Sequence, residues 1–126
     1  MTFTTSAPPP GPFGYDAPLL DVSVRTADPS ALVIEVQGEL DLCTGPTLKR
    51  RLEPYNAPSG NNGHPRKVTY LLPELGFMDA SGLRALLTAI DGHGSETITI
   101  REPSASVCRL LELVGLASMI EERADQ

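Results

Sequence analysis

Residues 67–92 are KVTYLLPELGFMDASGLRALLTAIDG, which contain a strand, a turn and a helix in succession. The opening KVTYLL predicts a largely buried strand. After the turn DASG at 79–82, apolar residues recur at i, i+3, i+4 and i+7 and form one face of a helix: Leu83, Leu86, Leu87 and Ile90. Gly92 and Gly94 are expected to end this helix. A strand followed directly by an amphipathic helix is typical of an α/β fold.

Further strands and helices are predicted on both sides of this unit. Upstream, alternating apolar and polar residues predict a β-hairpin, because two such runs flank a turn at 27–30. Before the central unit, strands are predicted at 20–26 and 31–36, the second of which ends at Gly38, and a helix capped by Thr44 is predicted at 46–53. After it, a strand is predicted at 96–101, followed by a helix that begins at Pro103-Ser104 and ends at Gly115, and by a short strand at 117–121.

This order of elements predicts how the sheet is built. Strand–helix–strand units favour parallel strands with right-handed crossovers, which place their helices on one face unless the strand order reverses. We therefore predict a single α/β domain over residues 19–126, with a mixed four- to five-stranded sheet and helices packed mainly on one face. Residues 1–18 contain five prolines and are expected to form an extended or disordered tail, with a proline-rich docking motif as the alternative.

Charge and composition exclude several classes of function. The net charge of −6 argues against nucleic acid and against an anionic membrane surface as partners. No apolar run approaches the roughly 18 residues that cross a bilayer. The first residues have neither the basic start nor the apolar stretch of a secretory signal. A cytoplasmic location is therefore expected.

Catalytic and metal-binding patterns are missing from the sequence. It contains neither the GxxxxGK phosphate loop nor a GxSxG elbow, so we expect no enzyme activity, cofactor or metal. Asp41 and Asp79 could be paired carboxylates in space, although each is more simply explained as a local cap. The cysteines, Cys43 and Cys108, are expected to be reduced core thiols, and the histidines, His64 and His93, to be solvated loop residues.

The turn around Ser81 could accept a negative charge. Ser81 lies in or just before the first turn of the helix, where free N–H groups and the helix dipole favour anions by about 0.3–1 kcal/mol. A phosphate there would add about −1.5 to −2 charges without unfolding the domain. The alternative is that Asp79 and Ser81 only cap the helix, which is the simpler interpretation of the local sequence.

A second turn, within GELDLCTGP at 38–46, occupies the equivalent place one crossover earlier. If the two strands are parallel and close, both turns emerge at the end of the sheet where α/β proteins commonly bind ligands. Asp41 and Thr44 would then flank Ser81. Turn and cap chemistry is the alternative explanation for both residues.

Three segments in this order resemble the STAS domain family of anti-sigma factor antagonists: GELDLCTGPTLKRRL at 38–52, FMDASGLRALL at 77–87 and PSASVCRLLELVGL at 103–116. The resemblance covers about residues 20–122 and implies partner switching. The unphosphorylated antagonist binds an anti-sigma factor that is a GHKL-type serine kinase, which frees a sigma factor for transcription. The kinase uses its own Mg-ATP to phosphorylate the antagonist and release it. A metal-dependent serine phosphatase then restores the unphosphorylated form.

The resemblance assigns roles to particular residues. It implies that Ser81 is the phosphoacceptor, which reverses the preference for a mere cap. It also implies a partner-binding surface at Asp41, Thr44, Met78, Asp79, Ala80, Gly82, Leu83 and Arg84. The sequence departs from the family at Ala80, where many relatives carry Ser, at Leu71 and Leu72, where relatives often carry Asp or Asn, in a longer loop at 56–66, and at Pro54, which shortens the first helix. These departures affect the expected partner more than the expected fold.

Two other functions stay open at this stage. One is a non-switching STAS interaction module in a sensory scaffold or a transporter accessory complex. The other is a small-ligand or nucleotide-binding domain, which no motif supports.

Overall fold

The described residues fold into one sheet and three α-helices. The computed structural model describes residues 19–28, 30–55, 66–94 and 97–121. In chain order the elements are β1 (Leu20–Asp28), β2 (Ala31–Leu40), α1 (Gly45–Leu52), β3 (Lys67–Leu71), β4 (Leu75–Met78), α2 (Ala80–Asp91), β5 (Thr97–Arg101), α3 (Ala105–Leu113) and β6 (Ile120–Glu121). Short 3-10 helices cover Glu53–Tyr55 and Ala117–Met119. The predicted tail at 1–18 and residues 56–65 of the predicted loop lie outside the described residues.

The sheet confirms the predicted mixed α/β architecture. Its strand order is β1-β2-β3-β5-β6, and β4 pairs separately with β2. The predicted hairpin is present as antiparallel β1 and β2, and every other pair is parallel. Six strands are present among the described residues, rather than four or five.

Burial alternates along the strands and shows which face the helices cover. On β3, Val68 and Tyr70 are fully buried, whereas Lys67 is exposed and Thr69 half-buried. The same period of two appears on β2. Among the described residues, one face of the sheet is therefore apolar and covered by helices, while the other, open face carries half-buried and exposed residues. The helices add aliphatic residues to this core, including Leu48, Leu86 and Leu111.

Strand β4 is an element that the sequence pattern does not predict. It is only four residues long, and its burial does not alternate, because Gly76 and Phe77 are exposed between buried Leu75 and Met78. Its pairing with β2 also corrects the predicted end of that strand. β2 continues through Gly38 to Leu40, since β4 supplies a parallel partner beyond the end of β3.

Gly38 can lie inside a strand because it is glycine. Its φ of +108° disfavours other residues, and a Cβ atom there would overlap the Leu19 carbonyl oxygen.

Other element bounds differ only slightly from the predicted ones. The first helix begins at Gly45, and a 3-10 turn replaces most of the strand expected at 117–121.

Two expectations about side-chain burial are wrong. Cys43 is exposed and Cys108 is half-buried, because one lies in a surface turn and the other on the outer side of α3. His93 is fully buried rather than solvated, and its Nε2 lies 2.7 Å from the Tyr70 hydroxyl. His93 lies two residues after the end of α2, so this contact joins the region that follows the helix to β3. His64 lies outside the described residues.

Candidate functional site

The two predicted turns lie side by side at one end of the sheet. Leu40 ends β2 and Met78 ends β4, and the two residues are partners in the parallel register. Asp41 and Asp79 each follow one residue later, so both β-to-α turns leave the sheet together. The Asp79 amide also donates to the Leu40 carbonyl at 3.4 Å. The predicted proximity is therefore present, although β4 rather than β3 provides it.

Asp79 caps α2 in the expected way. Its Oδ1 accepts a hydrogen bond from the Gly82 amide at 2.9 Å, which satisfies one of the free N–H groups of the first turn. Gly82 lies against the end of β2, where a Cβ atom would overlap the Leu40 carbonyl oxygen. This close approach sets the position of Ser81, which is half-buried in the first turn of the helix.

The Asp41 turn is held by its own side chains. Asp41 Oδ1 accepts from the amides of Cys43 at 2.9 Å and Thr44 at 3.0 Å. The Thr44 hydroxyl accepts from the Asp41 amide at 2.9 Å and donates to the Glu39 carbonyl at 2.8 Å. Thr44 occupies the cap position of α1, but its side chain makes no capping bond to the helix, in contrast to the prediction. The hydroxyl bonds the turn instead and is buried there.

A groove of about 570 Å³ runs between α1 and α2 and begins at these turns. Asp41 and Ser81 both line it. Its other lining residues are Leu42, Gly45, Pro46, Lys49, Leu52 and Glu53 on one side, and Arg84, Ala85, Thr88, Ala89 and Gly92 on the other. The helices approach closely at its base, since a Cβ atom on Gly45 would lie 3.1 Å from the Ala85 Cβ. The groove is largely apolar, with Lys49 and Arg84 as its cationic side chains.

The predicted site residues divide by accessibility. Ala80 and Arg84 are exposed, and Asp41, Asp79 and Ser81 are half-buried. The other four are buried: Thr44, Met78, Gly82 and Leu83. Burial leaves these four residues little surface to offer a partner.

Sequence reasoning missed Leu42. Its side chain is 75% exposed and lines the groove beside Asp41. A large apolar side chain inside an otherwise polar surface turn is the signal that could have identified it. Its exposure follows from the Asp41 and Thr44 bonds, which fold the turn and leave Leu42 outside.

Helix α3 begins with a local copy of the Ser81 arrangement. Ser104 caps that helix by accepting from the Val107 amide, and Ala105 and Ser106 follow, just as Ala80 and Ser81 follow Asp79. Ser106 is exposed but lines no part of the groove. The difference between the two serines is therefore their surroundings, not their place on a helix.

The described residues present neither a cluster of metal ligands nor a membrane-spanning helix. Within 19–28, 30–55, 66–94 and 97–121, no group of three or more His, Cys, Asp or Glu side chains could hold a metal ion. The helices in these same ranges are all too short or too polar to cross a bilayer.

The family model for the STAS domain matches residues 23–125. The chain belongs to the STAS domain family. This STAS chain is 27% identical over 104 residues to the anti-sigma-B factor antagonists of Listeria monocytogenes and Listeria innocua. In each comparison the alignment covers 81% of this chain and 87% of the relative.

Solved structures confirm the STAS architecture. The unphosphorylated form of the anti-sigma factor antagonist SpoIIAA aligns with a TM-score of 0.63 at 19% identity, covering 82% of this chain and 88% of that one. The phosphorylated form of the Bacillus protein aligns with a TM-score of 0.58 at 18% identity, covering 82% and 91%. An anti-sigma factor antagonist from Mycobacterium paratuberculosis aligns with a TM-score of 0.61 at 23% identity, covering 84% and 88%.

Proposed function

We propose that this STAS chain is an anti-sigma factor antagonist that binds an anti-sigma factor serine kinase and is released when Ser81 is phosphorylated. In this role it is a cytoplasmic regulator of sigma-factor-dependent transcription and not an enzyme. The observation that carries the proposal is the position of Ser81, which lies at a helix start and lines one groove together with Asp41. The Listeria relatives named as anti-sigma-B factor antagonists support it.

The groove provides a surface that a protein partner can bind. Leu42 offers an exposed apolar side chain at its edge, and Arg84 is exposed on α2. Burying a leucine side chain is favourable by about 1.5–3 kcal/mol relative to leaving it exposed, and arginine is enriched among the residues that contribute most to interface affinity. We place the kinase over this groove, with Ser81 beneath the docked surface and within reach of the nucleotide of the kinase.

The modification itself is a phosphoryl transfer. Ser81 Oγ forms a bond to the γ-phosphorus of ATP held by the kinase, and the bond to the bridging β-phosphate oxygen breaks. ADP leaves, and the hydroxyl proton passes to a base of the kinase. A metal-dependent serine phosphatase reverses the state by adding water and releasing inorganic phosphate.

A phosphate at Ser81 is expected to act on binding and not on folding. It would stand in the first turn of α2, where unpaired N–H groups and the helix dipole stabilise an anion. It would also add about −1.5 to −2 charges next to the Asp41 and Asp79 turns, which already carry carboxylates. A partner that has desolvated this region would then meet an unpaired charge and dissociate.

The first test is phosphorylation by the anti-sigma kinases encoded in the same genome. Each kinase is incubated with the full-length chain and Mg-ATP, and the modified residue is located by mass spectrometry. We expect phosphate on Ser81 and none on Ser106. Ser106 is also the second residue after a helix cap, but it lies away from the groove. Absence of phosphate on Ser81 with every kinase would contradict the proposal.

The second test measures kinase binding by calorimetry. Ser81→Ala should keep the affinity of the unmodified chain, and Ser81→Asp should lower it at least about tenfold, or roughly 1.4 kcal/mol. Ser106→Ala and Ser106→Asp are the matched controls and should both bind like the original. If Ser81→Asp also binds unchanged, the chain is an interaction module that does not switch.

A further inference from the structure

Strand β1 forms one end of the described sheet, and its outer edge carries backbone groups that β2 does not use. The Leu19 carbonyl accepts from the Glu39 amide at 2.8 Å, which sets the alternation of hydrogen bonds along the hairpin. Odd-numbered residues of this strand exchange bonds with β2. Even-numbered residues, including Val22 and Val24, therefore direct their amides and carbonyls outward. An edge of this kind is a template for another strand.

A side chain from α1 already occupies one of these outward groups. Arg51 Nη2 donates to the Val22 carbonyl at 2.7 Å, across a separation of 29 residues in sequence. The contact places a cation on the edge of the strand. Charged side chains at this position are one of the ways in which proteins prevent edge-to-edge pairing.

The charges on β1 favour one partner, which is β1 of a second copy. Leu20 and Val22 are buried, so Asp21, Ser23 and Arg25 project from the open face of the sheet. In an antiparallel pair centred on Ser23, Asp21 of each copy stands opposite Arg25 of the other. Moving the centre by two residues in either direction would place Arg25 opposite Arg25 or Asp21 opposite Asp21. Opposite charges across a strand pair stabilise it, and like charges destabilise it.

We propose that the β1 edge pairs with the β1 edge of a second copy of this chain, and that the Arg51–Val22 hydrogen bond blocks this pairing. In the register centred on Ser23, the Val22 carbonyl is the acceptor for the Val24 amide of the second copy. Arg51 uses that acceptor and must leave before the two strands can pair. The pairing is two-fold symmetric, so its product is a closed dimer and not a filament.

The open edge has a further charged neighbour. Arg25 lies 3.9 Å from Glu35 on β2, with 61% of the arginine side chain exposed. In the dimer, Arg25 would lie between this glutamate and Asp21 of the second copy. Each half of the interface would thus gain a row of three alternating charges on the open face.

The experiment measures the molar mass of the full-length chain by sedimentation over a wide range of concentrations. The original chain should remain largely monomeric, whereas Arg51→Ala should dimerise with a dissociation constant at least about tenfold lower. Arg51→Gln keeps most of the side-chain stem and should dimerise as well, which guards against a folding defect in the alanine variant. Arg50→Ala, on the same helix, is the matched control and should sediment like the original.

A second step tests the register. Adding Asp21→Arg to Arg51→Ala places like charges opposite each other and should restore the monomer. Hydrogen exchange at the Val22 and Val24 amides should slow in the dimer. The proposal is overturned if both Arg51 variants sediment like the original, if Arg50→Ala associates equally, or if the double variant remains dimeric.

Discussion

At the scale of single residues, the site depends on contacts that position Ser81 without touching a partner. Gly82 allows α2 to begin directly over the end of β2. The Asp79 carboxylate holds the first turn of the helix by accepting a hydrogen bond from the Gly82 amide. A side chain at Gly82 would meet backbone, which cannot move aside as a flexible side chain can. The chemistry proposed for Ser81 therefore rests on a neighbour that has no side chain.

Replacing Gly82 tests this dependence. We expect Gly82→Ala to lower the free energy of unfolding by about 1–3 kcal/mol, because the new methyl group overlaps the Leu40 carbonyl and forces the helix start away. Urea denaturation measures the change. Gly76→Ala is the control, since a Cβ atom there would lie 4.0 Å from the Gly38 carbonyl oxygen and would overlap nothing. An equal loss in both variants would contradict the explanation.

The buried pair of Tyr70 and His93 is a second contact between single residues. Tyr70→Phe removes the hydroxyl that lies 2.7 Å from His93 Nε2. We expect a loss of about 1–3 kcal/mol in stability, because the ring nitrogen loses this partner inside the core. Thermal or urea unfolding checks the value. Combining Tyr70→Phe with His93→Phe should cost less than the sum of the single changes, since the two residues interact.

At the scale of elements, the proposed binding site is the groove between α1 and α2. The close approach of Gly45 to Ala85 sets the base of the groove, and the Asp41 turn projects Leu42 at its edge. The groove thus depends on the pairing of two helices and on a turn that follows β2. None of these elements alone would present Ser81 next to an apolar surface.

Leu42 provides the prediction at this scale. Leu42→Ala should weaken kinase binding about tenfold, since it removes apolar surface that the partner would bury, and should change stability by less than about 0.5 kcal/mol. Calorimetry and urea denaturation give the two values. Leu113→Ala is the matched control, because Leu113 is equally exposed at 75% but lies on α3 outside the groove. Equal weakening by both changes would argue against the groove as the binding surface.

At the scale of the whole molecule, the sheet has one face covered by helices and one face that no other described residues cover. Along the main path of the sheet, the strands lie in the order in which they occur in the chain, from β1 to β6. Burial alternates along β2 with a period of two. The helices therefore stabilise the sheet from one side, and the open side is free to carry charges such as Asp21 and Arg25. Substitutions at neighbouring residues of one strand should therefore lower the free energy of unfolding by very different amounts.

Strand β5 allows this asymmetry to be measured. Ile100 is fully buried, and Ile100→Ala should destabilise the protein by about 2–5 kcal/mol through lost contacts and the cavity left behind. Thr99 is half-buried on the other face, and Thr99→Ala should cost less than about 1 kcal/mol. Urea denaturation of both variants decides the matter. Similar costs for the two would mean that the open face is covered.

The amino-acid sequence by itself determined the hairpin, the amphipathic helices and the capped start of α2, because these depend on the spacing of apolar residues and on neighbours a few positions away. The sequence also predicted that Asp41 and Ser81 belong to one site. Only the tertiary structure decided that β4 pairs with β2, that His93 is buried, and that Leu42 and Arg51 face the groove and the sheet edge. These features depend on contacts between residues far apart in the chain, which no local pattern encodes.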